Sequence, residues 1–366
     1  MNNICNRCVM DDTVIDIKFD KNGICNFCKE AEKKLEIIIR KKNDNYFHKV
    51  INEAKKDNNK QFDCIFGISG GLDSSYLLHI LIENGIRPYV VHLDNGWNTD
   101  LAVKNIHNLL DKLNLDLQKT HVINWKEFKS LQRSFLKSGL ANFEIPTDHA
   151  IFSLLFNLAD ELNIKYIFHG GNKISESIMP SSWMESFLDQ KLIFSINKLF
   201  ENTSLESYPT QDYFTLFKRI FFKKIKYISL LDYIDYDLNK AKSLLNTKYQ
   251  WESYKYKHGE SFITSFFQEY LLPKKFNIDK RKAHYSSLII SDQLKRSDAL
   301  QLLKDKPLLK DLENKIDFVC SKLEFEKDEF IKLLNLPRKY LKDYSNYQSY
   351  VEKFNYPIKL IKKIAT

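Results

Sequence analysis

The chain has 366 residues, 43% of them hydrophobic and 13% aromatic, and carries a net charge of +9 at pH 7. Those values exclude a disordered or low-complexity protein and leave room for two or three domains with sizeable cores. The positive excess fits nucleic acid, a membrane surface or an anionic small substrate and selects none of them, since solubility alone explains much of it. No apolar run approaches the ~18 residues of a membrane-spanning helix. The first residues, MNNICNRCVM, lack the charged-then-apolar order of a signal peptide, so a cytoplasmic location is expected, with no membrane partner.

Four of the six cysteines, Cys5, Cys8, Cys25 and Cys28, fall in the first 28 residues. Two Cys-x2-Cys pairs separated by 16 residues have the spacing of a four-thiolate zinc site. The intervening DDTVIDIKFDKNG reads as a small hairpin turning at Asn22 and Gly23. Four thiolates saturate tetrahedral zinc and leave no position for water, so the Zn2+ is expected to be structural. Reactive dithiol chemistry is the competing reading.

A charged helical stretch follows from Glu30. From Phe62 the pattern changes to short apolar runs alternating with amphipathic helices. Strands are expected at 62–66, 87–93, 119–123 and 165–168. Helices are expected at 75–83, at 99–113 (where Leu101, Ile106, Leu109, Leu110 and Leu113 share a face) and from 148, with Asp148 as N-cap, to about 162. This alternation implies an α/β domain with a parallel sheet covered on both faces. Beyond Ser182 aromatic and lysine-rich helical patterns take over. The expected domains are a zinc ribbon with linker helix over 1–45, a nucleotide-binding domain over 46–185 and a mainly helical substrate or partner domain over 186–366.

Between the first strand and first helix of the sheet lies FGISGGLDSSYLL. Gly70 and Gly71 permit a sharp turn and let ligand oxygens approach backbone N–H groups. The helix start adds partial positive charge, and Ser69 and Ser74 add hydroxyl donors. The lysine of a Walker loop is missing. In its place Asp73 offers a carboxylate to a Mg2+ that bridges phosphates. The loop resembles the SGGxDS pyrophosphate loop (PP-loop) of the ATP-pyrophosphatase superfamily, which includes asparagine synthetases, GMP synthetases and tRNA-thiolating enzymes. The resemblance implies that ATP binds with its β- and γ-phosphates in the loop and leaves pyrophosphate there, while a substrate oxygen attacks the α-phosphorus.

Asp94 and Asn95 end the second strand at the carboxyl edge of the sheet, where ligands of open α/β sheets bind; by resemblance they lie beside the adenosine. The segment Gly170, Gly171, Asn172, Lys173 and Glu176 follows the fourth strand. Superfamily members carry a glycine-rich acidic segment there that faces the phosphates, so Glu176 is a candidate magnesium ligand and Lys173 a candidate to neutralise pyrophosphate. A surface loop with solvated charges is the plainer reading. Pro146-Thr147-Asp148-His149 is a helix start first and a candidate substrate contact, through His149, second.

Over most of its length the chain resembles the N-acetyl sugar amidotransferases of the WbpG and PseA type, within the adenine nucleotide alpha hydrolase-like superfamily. CNRCVMDDT, FDKNGICNFC, SGGLDSS, PTDHAIF, GGNKISES and KKFNIDKRKAHYSSLI carry the likeness, in that order. It implies conversion of an N-acetyl group on an anionic bacterial surface-glycan sugar to an acetamidino group, through an O-adenylyl imidate that ammonia attacks. The implied substrates are UDP-linked diacetamido uronic acids or nonulosonic acids of the pseudaminic or legionaminic kind. Lys257, His258, Lys274, Lys275, Lys280, Arg281 and His284 then supply cations for a carboxylate or diphosphate, Arg281 being the best fork. A solvated basic helix face is the alternative. Residue 2 is Asn2 and no glutaminase elbow surrounds Cys64 or Cys320, so ammonia is expected from a separate glutaminase and synthase-like pair.

Three rival readings share some features. A tRNA-thiolating enzyme has the loop, zinc pairs and basic charge, but between Cys64 and Cys320 this chain offers no cysteine. A simple ammonia ligase acting on a carboxylate is the second. A non-enzymatic zinc-ribbon module for nucleic acid is the third, and it leaves the loop unexplained.

Overall fold

The four apolar runs expected as strands do form strands, and a fifth joins them. The computed structural model describes residues 3–56, 60–255, 257–304 and 311–348. β1 (Cys64–Gly67), β2 (Pro88–Asp94), β3 (Lys119–Val122), β4 (Tyr166–His169) and β5 (Lys226–Ser229) make one sheet in the order β3-β2-β1-β4-β5, every neighbouring pair parallel. Two helices precede the sheet, α1 (Asn26–Asn43) and α2 (Tyr46–Ala54). Within it come α3 (Leu72–Glu83), α4 (Asp100–Leu113), α5 (Trp125–Ser138), α6 (Ile145–Glu161), α7 (Lys173–Glu176), α8 (Gln190–Phe200) and α9 (Tyr213–Phe221). After β5 the chain is helical: α10 (Leu238–Tyr249), α11 (Phe262–Phe266), α12 (Leu272–Phe276), α13 (Lys280–Ile290), α14 (Arg296–Lys304), α15 (Leu312–Leu323) and α16 (Lys327–Asn335).

Strand alternation decides what covers the sheet. Cys64 and Phe66 of β1 point to the face covered by α3, α4 and α10, through Leu77, Leu81, Ile106, Leu109 and Leu245. Ile65 points to the other face, against Phe152, Leu155 and Phe156 of α6 and Leu216 of α9. Central parallel strands buried on both faces explain why these runs read as continuous apolar segments. A third cluster joins the N-terminal cysteines to α5, α8 and the C-terminal helices. Among the described residues no helix is long and apolar enough to cross a membrane.

Two boundaries differ from expectation. The sheet runs past residue 185, because β5 pairs with β4 from Tyr166 opposite Lys226 to His169 opposite Ser229. Four residues, KYIS, with Lys226 exposed, are too short and too polar at their start to stand out from the helical pattern around them. Helix α6 starts at Ile145 with Pro146 in its first turn, where a missing N–H costs nothing, so Asp148 lies inside the first turn and is not the cap. The final part of the expected helical domain, 305–310 and 349–366, lies outside the described residues.

Candidate functional site

The loop of residues 69–74 leaves β1 at the carboxyl edge of the sheet. Gly70 has φ +79°, and a Cβ there would lie 2.7 Å from the Ala102 carbonyl oxygen, so no other residue fits. The Ser69 and Ser74 hydroxyls lie 3.1 Å apart, and the Gly71 N–H donates to Ser69 Oγ at 3.2 Å. Gly71 occupies the cap position of α3 and offers no side chain, so the first N–H groups of that helix point outward without a side-chain acceptor. That is a built anion cradle. Gly170, at the end of β4, approaches so closely that a Cβ would sit 2.6 Å from the Ser74 nitrogen. The glycine-rich segment after β4 is thereby pressed against the loop.

Charged groups from three parts of the chain meet over this cradle. Lys257 Nζ lies 2.6 Å from Glu176 Oε1 and 3.9 Å from Asp73 Oδ2, and donates to Ser175 Oγ at 2.9 Å. His258 stands 3.9 Å from Glu176 and 3.8 Å from Glu260. The Tyr236 hydroxyl donates to Asp73 Oδ1. Burial raises the Asp73 pKa, with Lys257 opposing it. Burial pushes Glu176 the same way, but Lys257 and His258 overcome it and hold the carboxyl at about 2. Lys257 is raised because Glu176 and Asp73 outweigh its desolvation. An ammonium lodged between two carboxylates shows that this spot favours a cation, so Asp73 and Glu176 fit a magnesium ion by charge and donor type.

The other expected site residues divide. Asp94 ends β2 and accepts from the Gly96 N–H at 2.8 Å and Asn98 Nδ2 at 3.2 Å, which folds the adjoining turn. Gly171 donates its N–H to His169 Nδ1 at 3.2 Å. Asn172 is buried and caps α7 by accepting from the Ser175 N–H at 2.9 Å, so its oxygen is engaged within the fold. Lys173 starts α7 with its backbone N–H bonded to Asp232 at 2.6 Å, and its charge helps lower the pKa of His169. The cation that reaches Asp73 and Glu176 is Lys257, which the sequence had suggested for the substrate. His284 faces the same cluster, bonded through Nδ1 to the Ser175 carbonyl at 3.1 Å and lowered by burial to about 3.

Four expected substrate residues lie elsewhere. Lys274 is exposed on α12, and Lys275 donates to the Leu333 carbonyl at the end of α16. The Arg281 fork closes on Asp279 at 2.7 Å, so its own neighbour neutralises it. His149 is buried in α6, with Nδ1 on the Phe187 carbonyl at 2.7 Å and Nε2 on Thr210 Oγ1 at 2.9 Å. Burial lowers its pKa from 6.5 to about 4. The unfolded chain takes up a proton there below pH 6.5 and the folded chain only near 4, so the stability given by the neutral ring is present above pH 6.5 and lost as pH falls toward 4. The loss across that window is about 3 kcal/mol. Urea unfolding midpoints are expected to drop over it, and to drop less in His149→Gln; equal slopes would absolve the imidazole.

Three groups at the site were not singled out from sequence: Tyr236 on Asp73, Glu260 beside Gly71, and Glu144, which feels the charge of His258. Glu260 Oε1 would stand 3.0 Å from a Cβ on Gly71. Its segment is held there by backbone bonds from the Thr99 N–H to the Glu260 carbonyl at 3.0 Å and from the Phe262 N–H to the Trp97 carbonyl at 2.8 Å.

At the N-terminus the four cysteine sulfurs are fully buried and lie within 4.8 Å of one another. The Cys5–Cys28 and Cys8–Cys25 distances are both 3.8 Å, and Cys25–Cys28 is 3.6 Å. Tetrahedral zinc with bonds of ~2.3 Å requires sulfur–sulfur edges of about 3.8 Å, so the donor set fits. Backbone N–H groups of Arg7, Met10 and Cys25 point at Cys5 and Cys8 sulfurs at 3.2 to 3.4 Å, as thiolates would require. The expected turn is present, with Gly23 at φ +72° donating to the Asp20 carbonyl at 2.9 Å. This knuckle docks on the C-terminal helices. Arg296 donates to the Cys5 and Cys8 carbonyls at 2.8 and 2.9 Å, Lys282 pairs with Asp11 at 2.6 Å, and the Val9 N–H reaches Ser286 Oγ at 3.2 Å.

Comparison with known proteins gives one family and a set of distant structures. Among curated proteins nothing matches. The structure of NMN synthetase from Francisella tularensis is similar at 17% identity and a TM-score of 0.28, over 36% of this chain and 56% of that one. The chain thus spans little more than half the length of that relative. The NH3-dependent NAD synthetase from Campylobacter jejuni subsp. jejuni is similar at 17% identity and a TM-score of 0.28, over 62% of this chain and 94% of that one. Residues 260–360 match the family described as LPS biosynthesis protein WbpG-like, C-terminal domain. The likeness shown by that match is thus confined to residues 260–360, which are similar to a WbpG-like C-terminal domain.

Proposed function

We propose that this protein is a cytoplasmic, ATP-dependent amidotransferase that converts an N-acetyl group of an anionic surface-glycan sugar to an acetamidino group. The observation that carries the reading is the meeting of the residue 69–74 loop with Asp73, Glu176 and Lys257 at the carboxyl edge of a parallel sheet. The WbpG-like match supports the sugar, which we take to be a UDP-diacetamido uronic acid or a pseudaminic- or legionaminic-type acid. An amide oxygen is a poor leaving group and must first be activated. The α3 N–H groups and the Ser69 and Ser74 hydroxyls hold the pyrophosphate end of ATP, so the amide oxygen attacks the α-phosphorus and pyrophosphate leaves. Asp73 and Glu176 would hold Mg2+, which when bound neutralises charge on the departing group. Lys257 and His258 add positive charge at the same place, and Lys280 and His284 border the substrate side.

Ammonia, supplied by a separate glutaminase and synthase-like pair, then replaces AMP on the imidate carbon. Sulfur transfer to RNA has less support. All six cysteines are buried, Cys64 within β1 and Cys320 within α15, so among the described residues no thiol faces the loop. The test is mass spectrometry of the two sugar classes incubated with enzyme, magnesium, ATP and ammonium. A sugar lighter by about one mass unit, formed together with AMP, is expected. AMP elicited by bulk tRNA and by no sugar would replace this reading with thiolation.

A further inference from the structure

Next to the loop, the first turn of α6 and the start of α13 bring opposite charges together without pairing them. Glu144 and Asp148 lie one helical turn apart on the same side of α6. Glu144 Oε1 accepts from Thr264 Oγ1 at 3.0 Å. Asp148 and Lys280 are half-buried and feel each other's charge, yet among the described residues neither side chain has a hydrogen-bond or ion-pair partner. Half-buried opposite charges held apart forgo the energy a contact would return, so their separation suits a polar group placed between them. The cluster is continuous with the loop site, because Glu176 and His258 act on Asp148 as well.

Resting on the amidotransferase reading, we infer that Asp148, with Glu144 beside it, is the proton acceptor for the incoming ammonia. The acetimidate is protonated on its sugar nitrogen. The ammonia lone pair forms the new C–N bond, the C–O bond to AMP breaks with its electron pair going to the AMP oxygen, and one proton of the added nitrogen passes to the Asp148 carboxylate. The product amidinium keeps its positive charge and offers two N–H edges to the paired carboxylates. The groups facing Asp148 set its proton affinity. Burial first, then Glu144 and Glu176, raise it against Lys280 and His258, to about 7. A carboxyl there is part ionised at neutral pH, as a proton acceptor for this step needs.

Asp148→Asn is tested with three readouts: ammonium-dependent amidination, amidination with hydroxylamine, whose oxygen makes the added nitrogen acidic enough to release its proton to water, and sugar-dependent ATP–pyrophosphate exchange, which reports adenylation alone. Ammonium kcat/KM is expected to fall about 100-fold, exchange to persist and hydroxylamine to restore turnover to within a few-fold of wild type. In Lys280→Met the rising limb of the ammonium pH profile is expected to move to higher pH, since Lys280 lowers the Asp148 pKa. Unchanged ammonium kinetics, equal loss with hydroxylamine, or loss of exchange in Asp148→Asn each overturns the assignment. A wild-type enzyme that shows neither exchange nor product with any acetamido sugar instead overturns the amidotransferase reading.

Discussion

An Asp73→Asn variant is expected to form AMP about 100- to 1000-fold more slowly than wild type, the loss typical of one preorganised electrostatic group, and to melt no lower. Asp73 is one-fifth exposed, and its pKa is raised chiefly by burial, so the folded protein disfavours the charged form. The sign follows: the folded form gains relative stability as pH falls through the raised pKa, and a neutral asparagine removes the penalty at pH 7. It gives up the 3.9 Å approach of Lys257 and weakens the Tyr236 bond, which offsets part of that gain. Steady-state AMP release and a thermal melt together decide. Full activity would remove Asp73 from the site, and a collapsed melting temperature would make it a structural carboxylate.

Loss of the thiolate centre is expected to have the second large effect, far from the cysteines themselves. In Cys28→Ser, bound zinc is expected to fall from one per chain toward none, and amide-exchange protection is expected to fall in α13 as well as in the knuckle. The reason is the docking: Arg296 grips the Cys5 and Cys8 carbonyls, Lys282 pairs with Asp11 and Ser286 accepts from Val9, all with partners that the metal would hold in place. Zinc binding to small thiolate domains is worth roughly 10 kcal/mol and is paid out as folding. Helix α13 carries Lys280 and His284 to the site, so AMP formation should fall with zinc. Native protection across α13 in metal-free protein would mean that the knuckle is an independent appendage.

What the sequence made legible were features closed over a few residues. The loop at 69–74 could be placed because a strand, two glycines and a helix follow one another directly, and the cysteine pairs because zinc sets their spacing. The pairing of Lys257 with Glu176 closes a stretch of about 80 residues, and no local pattern encodes it. His149 illustrates the converse: its place in the Pro146-Thr147-Asp148-His149 segment suggested the substrate, but a helix turns each successive residue by about 100°, which sends His149 into the core while Asp148 stays half-buried. Arg281 read as a free fork only because its pairing with Asp279, two residues away, depends on a cap geometry that sequence leaves open. β5 was too short to register as a strand, and with it went the end of the sheet domain.

The central claim is that the amide oxygen of an acetamido sugar attacks the α-phosphorus of ATP. The most direct measurement is to label the acetamido oxygen with heavy oxygen and to analyse the nucleotide and phosphate products by mass spectrometry. The label is expected in the phosphoryl group of AMP and not in pyrophosphate. Label in inorganic phosphate, with ADP as the nucleotide product, would mean transfer of the γ-phosphoryl group and would contradict it.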